Sequence, residues 1–200
     1  ADSAKLVRNN AEDVDQPFIT GERSAEGFYF VQGGTQYAVA KALSYAEYAD
    51  VLWFETSQPN LEEAKAFADG VHAKYPRKLL AYKCSPSFNW KMYLDDKTLR
   101  EFQDTLGEYG YAFQFVTLAG FHTLNTAMFD LAKDYKTEGM LAYSRLQRHE
   151  LDLQKSHGFK AVKHQSFVGT GIFDEIQNAV TGGQSATTAL DGSTEEAQFE

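Results

Sequence analysis

A chain of 200 residues with 43% hydrophobic content is long enough for one packed domain or for a large piece of a bigger one. Its net charge of −9 argues against a nucleic-acid partner, because phosphate contacts need clustered Lys and Arg. No apolar run approaches the ~20 residues that cross a bilayer, so no membrane partner is expected, and the lone Cys84 excludes an internal disulfide and fits a reducing, cytoplasmic compartment.

The chain opens on Ala1-Asp2-Ser3-Ala4-Lys5, which has neither the apolar core of a signal peptide nor an initiator Met. The segment is polar and helix-like with no strand before it, so a chain opened partway through a fold is expected. Farther on, Glu22 and Arg23 lie inside Ile19-Thr20-Gly21-Glu22-Arg23. They could be catalytic; a surface ion pair anchoring a long loop is the plainer expectation.

Three apolar, β-prone runs follow: Asp50–Phe54, Lys78–Tyr82 and Tyr111–Val116. Between the first two, Asn60-Leu61-Glu62-Glu63 has the pattern of a capped helix start, and Leu61, Ala64, Phe67 and Val71 then fall on one face. Leu99, Phe102 and Leu106 repeat the pattern before the third run, with Gly110 as the stop. A strand every roughly 30 residues, separated by a helix, is the spacing of βα units with a parallel sheet. The fold class is therefore α/β, either a barrel or a doubly wound sheet. No Gly-x-Gly-x-x-Gly follows any strand, which weakens a dinucleotide-binding reading. Three clear strands cannot close a barrel alone. Beyond residue 118 the sequence turns mostly helical to about 157, and Gly182–Glu200 is a Gly/Ser/Thr/acid-rich tail. The expected divisions are 1–118, 119–181 and 182–200.

Polar residues cluster where the strands end, the side of a barrel that carries chemistry. Trp53-Phe54-Glu55-Thr56 puts an acid beside a tryptophan. That carboxylate could accept a proton, hold a metal-bound water or orient a neighbour; a solvated loop acid and a packing tryptophan are the plainer alternatives. Lys83-Cys84-Ser85-Pro86-Ser87-Phe88-Asn89 crowds two serines and an asparagine around a proline that stiffens the backbone. Such a cluster suits a polar ligand, and equally a Ser/Pro turn leading into the next helix. Cys84 has no nearby His partner, so a buried, inert thiol is expected. Thr117 ends the third run, where a β-branched residue is ordinarily structural. The five histidines show no metal-type spacing, and His122 alone stands just past a strand end.

Four stretches together carry a family likeness: Phe18–Arg23 with Glu26-Gly27-Phe28, Trp53–Thr56, Ala81–Trp90 and Gln114–His122. Met128–Ala132, His164-Gln165, Val168–Gly171, Phe173-Asp174 and Gly192–Phe199 extend it. The chain resembles the carboxy-terminal portion of isocitrate lyases along its whole length. That resemblance implies part of a (β/α)₈ barrel with added helices, assembled as a homotetramer with exchanged helices. The implied reaction is Mg²⁺-dependent cleavage of isocitrate to succinate and glyoxylate, the first step of the glyoxylate bypass. The implied succinate-side site comprises Lys83, Cys84, Ser85, Pro86, Ser87 and Thr117, with Glu55 and Trp53 nearby, and the tail would be a lid.

Two departures accompany it. The family's Lys-Lys-Cys-Gly-His segment with its catalytic cysteine is absent, and the metal-holding aspartates and the substrate-gripping arginine are expected upstream. No residue of this chain is then catalytic by itself, and the isolated chain should not turn over. The family also has asparagine where this chain has Lys83, which exchanges a planar donor and acceptor for a flexible donor. A 2-methylisocitrate lyase-like enzyme and a non-catalytic assembly module are the alternatives.

Overall fold

The computed structural model describes residues 7–198; the opening segment Ala1–Lys5 and the final Phe199 lie outside them. The chain divides into two compact units, Ala1–Phe121 and His122–Glu200.

The first unit begins with a small antiparallel sheet in the order β1-β3-β2, where β1 is Val7–Arg8, β2 Ile19–Arg23 and β3 Tyr29–Val31. Only the later three strands are legible in the sequence. Runs of two, five and three residues are too short for alternation to register, and Gly21, at φ 89°, interrupts the longest. Asp15 ties this region to helix α1 (Thr35–Tyr45). Its fully buried carboxylate accepts the Tyr37 hydroxyl at 2.6 Å and the Glu12 amide at 3.1 Å. Arg8 and Lys41 stand 3.4 and 3.5 Å away. Burial by itself raises a carboxyl pKa. Here the Tyr37 and Glu12 hydrogen bonds, with the two cations, outweigh it and hold Asp15 below its ordinary range.

The rest of the unit is a parallel sheet whose strands follow chain order: β4 (Val51–Phe54), β5 (Leu79–Cys84) and β6 (Tyr111–Val116). The crossovers carry α2 (Leu61–His72) and α4 (Asp96–Glu108), with the single turn α3 (Trp90–Tyr93) before α4. Both long helices begin where the chain supplies a cap. Asn60 accepts the Glu63 amide and Asp95 the Thr98 amide, in each case satisfying a donor that the first helical turn leaves open. Gly110, at φ 93°, turns the chain from α4 into β6 in a conformation costly to any residue with a Cβ.

Strand residues alternate between two faces. Leu52, Phe54, Leu80, Tyr82 and Cys84 join Ala64, Phe67, Val71, Phe102 and Leu106 of α2 and α4 in one core. Phe54 stacks on Phe67 at 4.1 Å, and Tyr82 meets Phe102 and Tyr111 edge-on at 5.8 and 5.7 Å. Both crossover helices therefore cover the same face, whereas a doubly wound sheet has helices on both. The other face is open and apolar: Trp53 is 56% and Phe113 61% exposed, beside Val51 and Leu79. A bulge in β6 sorts these residues. Leu80 pairs with Tyr111 but Ala81 with Phe113, so Tyr111 turns into the core and Phe113 away from it.

The second unit consists of α5 (Ala119–Glu138, whose first turn holds the division), α6 (Met140–His157), α7 (His164–Phe167), α8 (Thr170–Thr181) and α9 (Thr194–Gln198). Gly139 and Gly158, both at positive φ, join α5 to α6 and end α6. These helices leave much apolar surface uncovered: Leu124, Met128 and Phe129 on α5, and Ile172, Ile176 and Val180 spaced by four along α8. A stripe at that spacing is the face a helix normally buries.

Two predictions follow from this packing. A Cβ on Gly70 of α2 would lie 2.8 and 2.9 Å from the two methyl carbons of Val39 on α1, and a valine in a helix has little rotameric freedom to retreat. Gly70→Ala should thus lose stability by about 1 kcal/mol in denaturant unfolding, because overpacking costs more than the gain in helix propensity. For Asp15 the depressed native pKa means stability present above about pH 4 and lost as pH falls through the native value. Thermal melts across pH 2–6 should show that loss in the parent and a flatter profile in Asp15→Asn.

Candidate functional site

The ends of the three parallel strands bring together residues that lie far apart in sequence. β4 and β5 are paired in register from Val51 with Leu79 to Phe54 with Tyr82, so Glu55 and Lys83 leave adjacent strands at the same level. They form an ion pair, Lys83 Nζ to Glu55 Oε1 at 2.5 Å, with side chains only 15% and 12% exposed. The ammonium also stands 6.0 Å from the Trp53 ring centre, inside the range of a cation–π contact. Trp53 in turn meets Phe115 edge-on at 5.1 Å. Lys83 thus does not extend away from the strand ends; its charge is held there by a carboxylate on the neighbouring strand.

Thr56 has a different role. Its hydroxyl donates to the Gln58 carbonyl at 2.6 Å and lies 2.9 Å from the Tyr82 hydroxyl. Since Thr56 has one proton to give, Tyr82 donates to Thr56. Burial raises the pKa of the Tyr82 phenol, which keeps it a neutral donor.

Beyond β5 the chain makes a tight turn. Ser85 is 1% exposed, its hydroxyl accepts the Ser87 amide at 3.2 Å, and its carbonyl accepts the Trp90 indole N–H at 2.9 Å. Pro86 sits between the serines, and Ser87 and Asn89 are exposed. The Ser85 hydroxyl shapes the turn, whereas Ser87 faces outward. Cys84 lies on the helix-covered face, buried, and desolvation pushes its thiol up to about 11. As the sequence led one to expect, the thiol is buried, which disfavours the thiolate a nucleophile needs.

At the end of β6 two further features stand out. The Thr117 hydroxyl is buried and has no hydrogen-bond partner among the described residues. Leu118 follows at φ 61°, a left-handed conformation rare for a branched side chain. Orphaned polar atoms and strained backbone both concentrate at functional sites. Nothing in the sequence around Leu118 announces the strain, because leucine has no local preference for that region. The ion pair expected for Glu22 and Arg23 does not form. Neighbours in a strand point to opposite faces, and Arg23 instead stacks 3.6 Å over the Tyr29 ring and donates to the Gly27 carbonyl.

A model of the isocitrate lyase family matches residues 12–199. The chain belongs to the isocitrate lyase family. Among its relatives, the isocitrate lyase of Halalkalibacterium halodurans is 57% identical over 200 residues, covering all of this chain and 47% of the relative. That of Corynebacterium glutamicum is 52% identical over 199 residues and 46% of its own length. The bifunctional glyoxylate cycle protein of Caenorhabditis elegans is 52% identical over 204 residues, 21% of that longer chain. The chain thus spans about half the length of the isocitrate lyases it matches.

The pairing of Lys83 with Glu55 is open to a double-mutant cycle with Lys83→Met and Glu55→Gln. Part-buried, hydrogen-bonded charges should couple by about 1–2 kcal/mol in unfolding experiments, more than an exposed pair and less than a fully buried one. The Cys84 thiol should resist a disulfide reagent at pH 8, where about one molecule in a thousand carries thiolate. It should react at once in denaturant.

Proposed function

We propose that this chain supplies the succinate-side half of an isocitrate lyase active site, within a (β/α)₈ barrel completed by residues outside it. The observation that carries the reading is the coincidence at the strand ends of an orphaned, buried Thr117 hydroxyl and a part-buried ammonium on Lys83. Helices on a single face of a sheet whose strands run in chain order support the barrel. So does the open face bearing Trp53 and Phe113, since parallel sheets are ordinarily covered on both sides.

Cleavage of isocitrate breaks a carbon–carbon bond. The isocitrate hydroxyl gives up its proton as one fragment leaves as the aldehyde glyoxylate; the electron pair of the broken bond stays on the other fragment, which takes a proton to become succinate. The residues of this chain contribute by holding the succinate carboxylates: Thr117 and Ser87 through hydroxyl donors, Lys83 through its ammonium, with Ser85 and Pro86 shaping the turn and Cys84 buttressing it from the covered side. Trp53 lines the site, and Glu55 sets where the Lys83 charge stands. A carboxylate that reaches Lys83 competes with Glu55 for it, so the ion pair weakens binding of the parent substrate. Lys83 also favours, as a second reading, an enzyme that cleaves 2-methylisocitrate or another 2-hydroxy tricarboxylate.

The family reading calls for a divalent metal, Mg²⁺, but no group of three His, Cys, Asp or Glu among the described residues could hold one. These residues do not fit a metal site, and none of their roles depends on it. The tail from about residue 182 acts as a lid that keeps water from the carbanion-like intermediate. The exposed stripes of α5 and α8 suit exchange of helices in a homotetramer. No helix among the described residues is long and apolar enough to cross a membrane, and a cytoplasmic location fits the free, unreactive cysteine.

A lyase assay with isocitrate and Mg²⁺, reading glyoxylate with a carbonyl reagent, tests the proposal. The isolated chain should be silent, and a version extended upstream to the length of its relatives should be active. In the active form Thr117→Val should raise KM for isocitrate at least tenfold, the loss of one hydrogen bond to a charged group. Lys83→Asn should lower KM for isocitrate relative to 2-methylisocitrate. Silence of the extended chain toward both substrates would overturn the enzyme reading in favour of an assembly role.

A further inference from the structure

Two carboxylates fasten the end of the chain to the helices of the second unit. Asp174 of α8 accepts the amides of Ala189 and Leu190, at 2.8 and 2.9 Å, one on each oxygen. Glu195, the first glutamate of the last helix, works in the opposite direction. It is 3% exposed, and its Oε1 accepts the Gln165 amide at 2.8 Å and lies 2.8 Å from His164 Nδ1. Its Oε2 lies 3.5 Å from the Ser166 amide. These amides belong to the start of α7, where a helix leaves its N–H groups unpaired. One pin is therefore a helix carboxylate holding tail amides, and the other a tail carboxylate holding helix amides.

The stretch between the pins is short and shaped. The Ser193 amide bonds back to the Leu190 carbonyl at 3.0 Å, closing a turn. The Leu190 side chain rests on α8 at Gly171, where an added Cβ would come within 3.3 Å of it. A buried carboxylate is tolerated only when hydrogen bonds replace its water, so Glu195 cannot leave its amides a little at a time. With a closed turn joining the pins, loosening one transmits to the other.

We infer that residues 189–195 form a strap, pinned to α7 and α8 by Asp174 and Glu195, that releases as one unit. This goes beyond the lid reading: it states what must break before the tail can move, and holds whether or not the tail covers a substrate.

Amide hydrogen exchange, followed residue by residue by NMR on the 200-residue chain, tests it without any activity readout. Glu195→Gln keeps one acceptor and turns an amide N–H₂ toward donors that need an acceptor. It should speed exchange roughly tenfold at Gln165 and Ser166 and, through release of the strap, at Ala189 and Leu190 as well. Asp174→Asn leaves the cap of α7 intact and should act reciprocally, speeding the same four amides. Acceleration confined to each variant's own pair of amides would overturn the inference, as would no acceleration. Because isocitrate is absent, the outcome does not depend on the lyase assignment.

Discussion

Tyr82 carries an aromatic ring and a hydroxyl into the interior together, and the first unit is organised around satisfying both. The ring packs against Phe54, Phe102 and Tyr111, which belong to β4, α4 and β6. The hydroxyl could not be buried unpaired without a cost of roughly 1–3 kcal/mol, and Thr56 accepts it at the end of β4. One side chain at the centre of the sheet thereby links both neighbouring strands and the second crossover helix. Because strand residues alternate, burying Tyr82 on the helix side sends Lys83 to the opposite face, at the level where Glu55 leaves β4. The placement of the ion pair is thus a geometric consequence of the core.

The two faces of that sheet do different work. The covered face obeys ordinary packing: apolar, aromatic, closed by a glycine contact between α1 and α2 that leaves no room for a methyl group. The open face mixes large apolar side chains with charges and an orphaned hydroxyl, and its strand ends carry a leucine in a left-handed conformation. A polypeptide relaxes such features unless the surrounding structure holds them. Their concentration at the strand ends is what supports the site proposed there.

Lys83 sets the charge balance at the strand ends by pairing with Glu55. A neutral amide would leave Glu55 without a cation, whereas a lysine supplies one and takes on the carboxylate as a competitor of any anionic ligand. The electrostatics of such a site depend on which charges are already paired, and here the Lys83 ammonium is already paired with Glu55. The second unit uses carboxylates differently: Asp174 and Glu195 bind backbone amides and serve to hold chain against chain.

How much of this was legible beforehand differs by scale. The three parallel strands, the helix caps at Asn60 and the stop at Gly110 were plain from periodicity and local chemistry, because apolar spacing and capping act over four to six neighbouring residues. The family could be recognised from the long motif runs. Short antiparallel strands near the start were not legible, since pairing partners up to 23 residues apart supply their hydrogen bonds, as Val7 does with Phe30. Nor were the Arg23–Tyr29 stack, the bulge that turns Tyr111 in and Phe113 out, or the strain at Leu118. The sequence by itself determined the three parallel strands, the two capped helices between them and the apolar faces of those elements. Only the tertiary structure decided that Lys83 meets Glu55, that the Thr117 hydroxyl is without a partner among the described residues, and that Glu195 is buried, because each depends on distances between segments that local sequence does not encode.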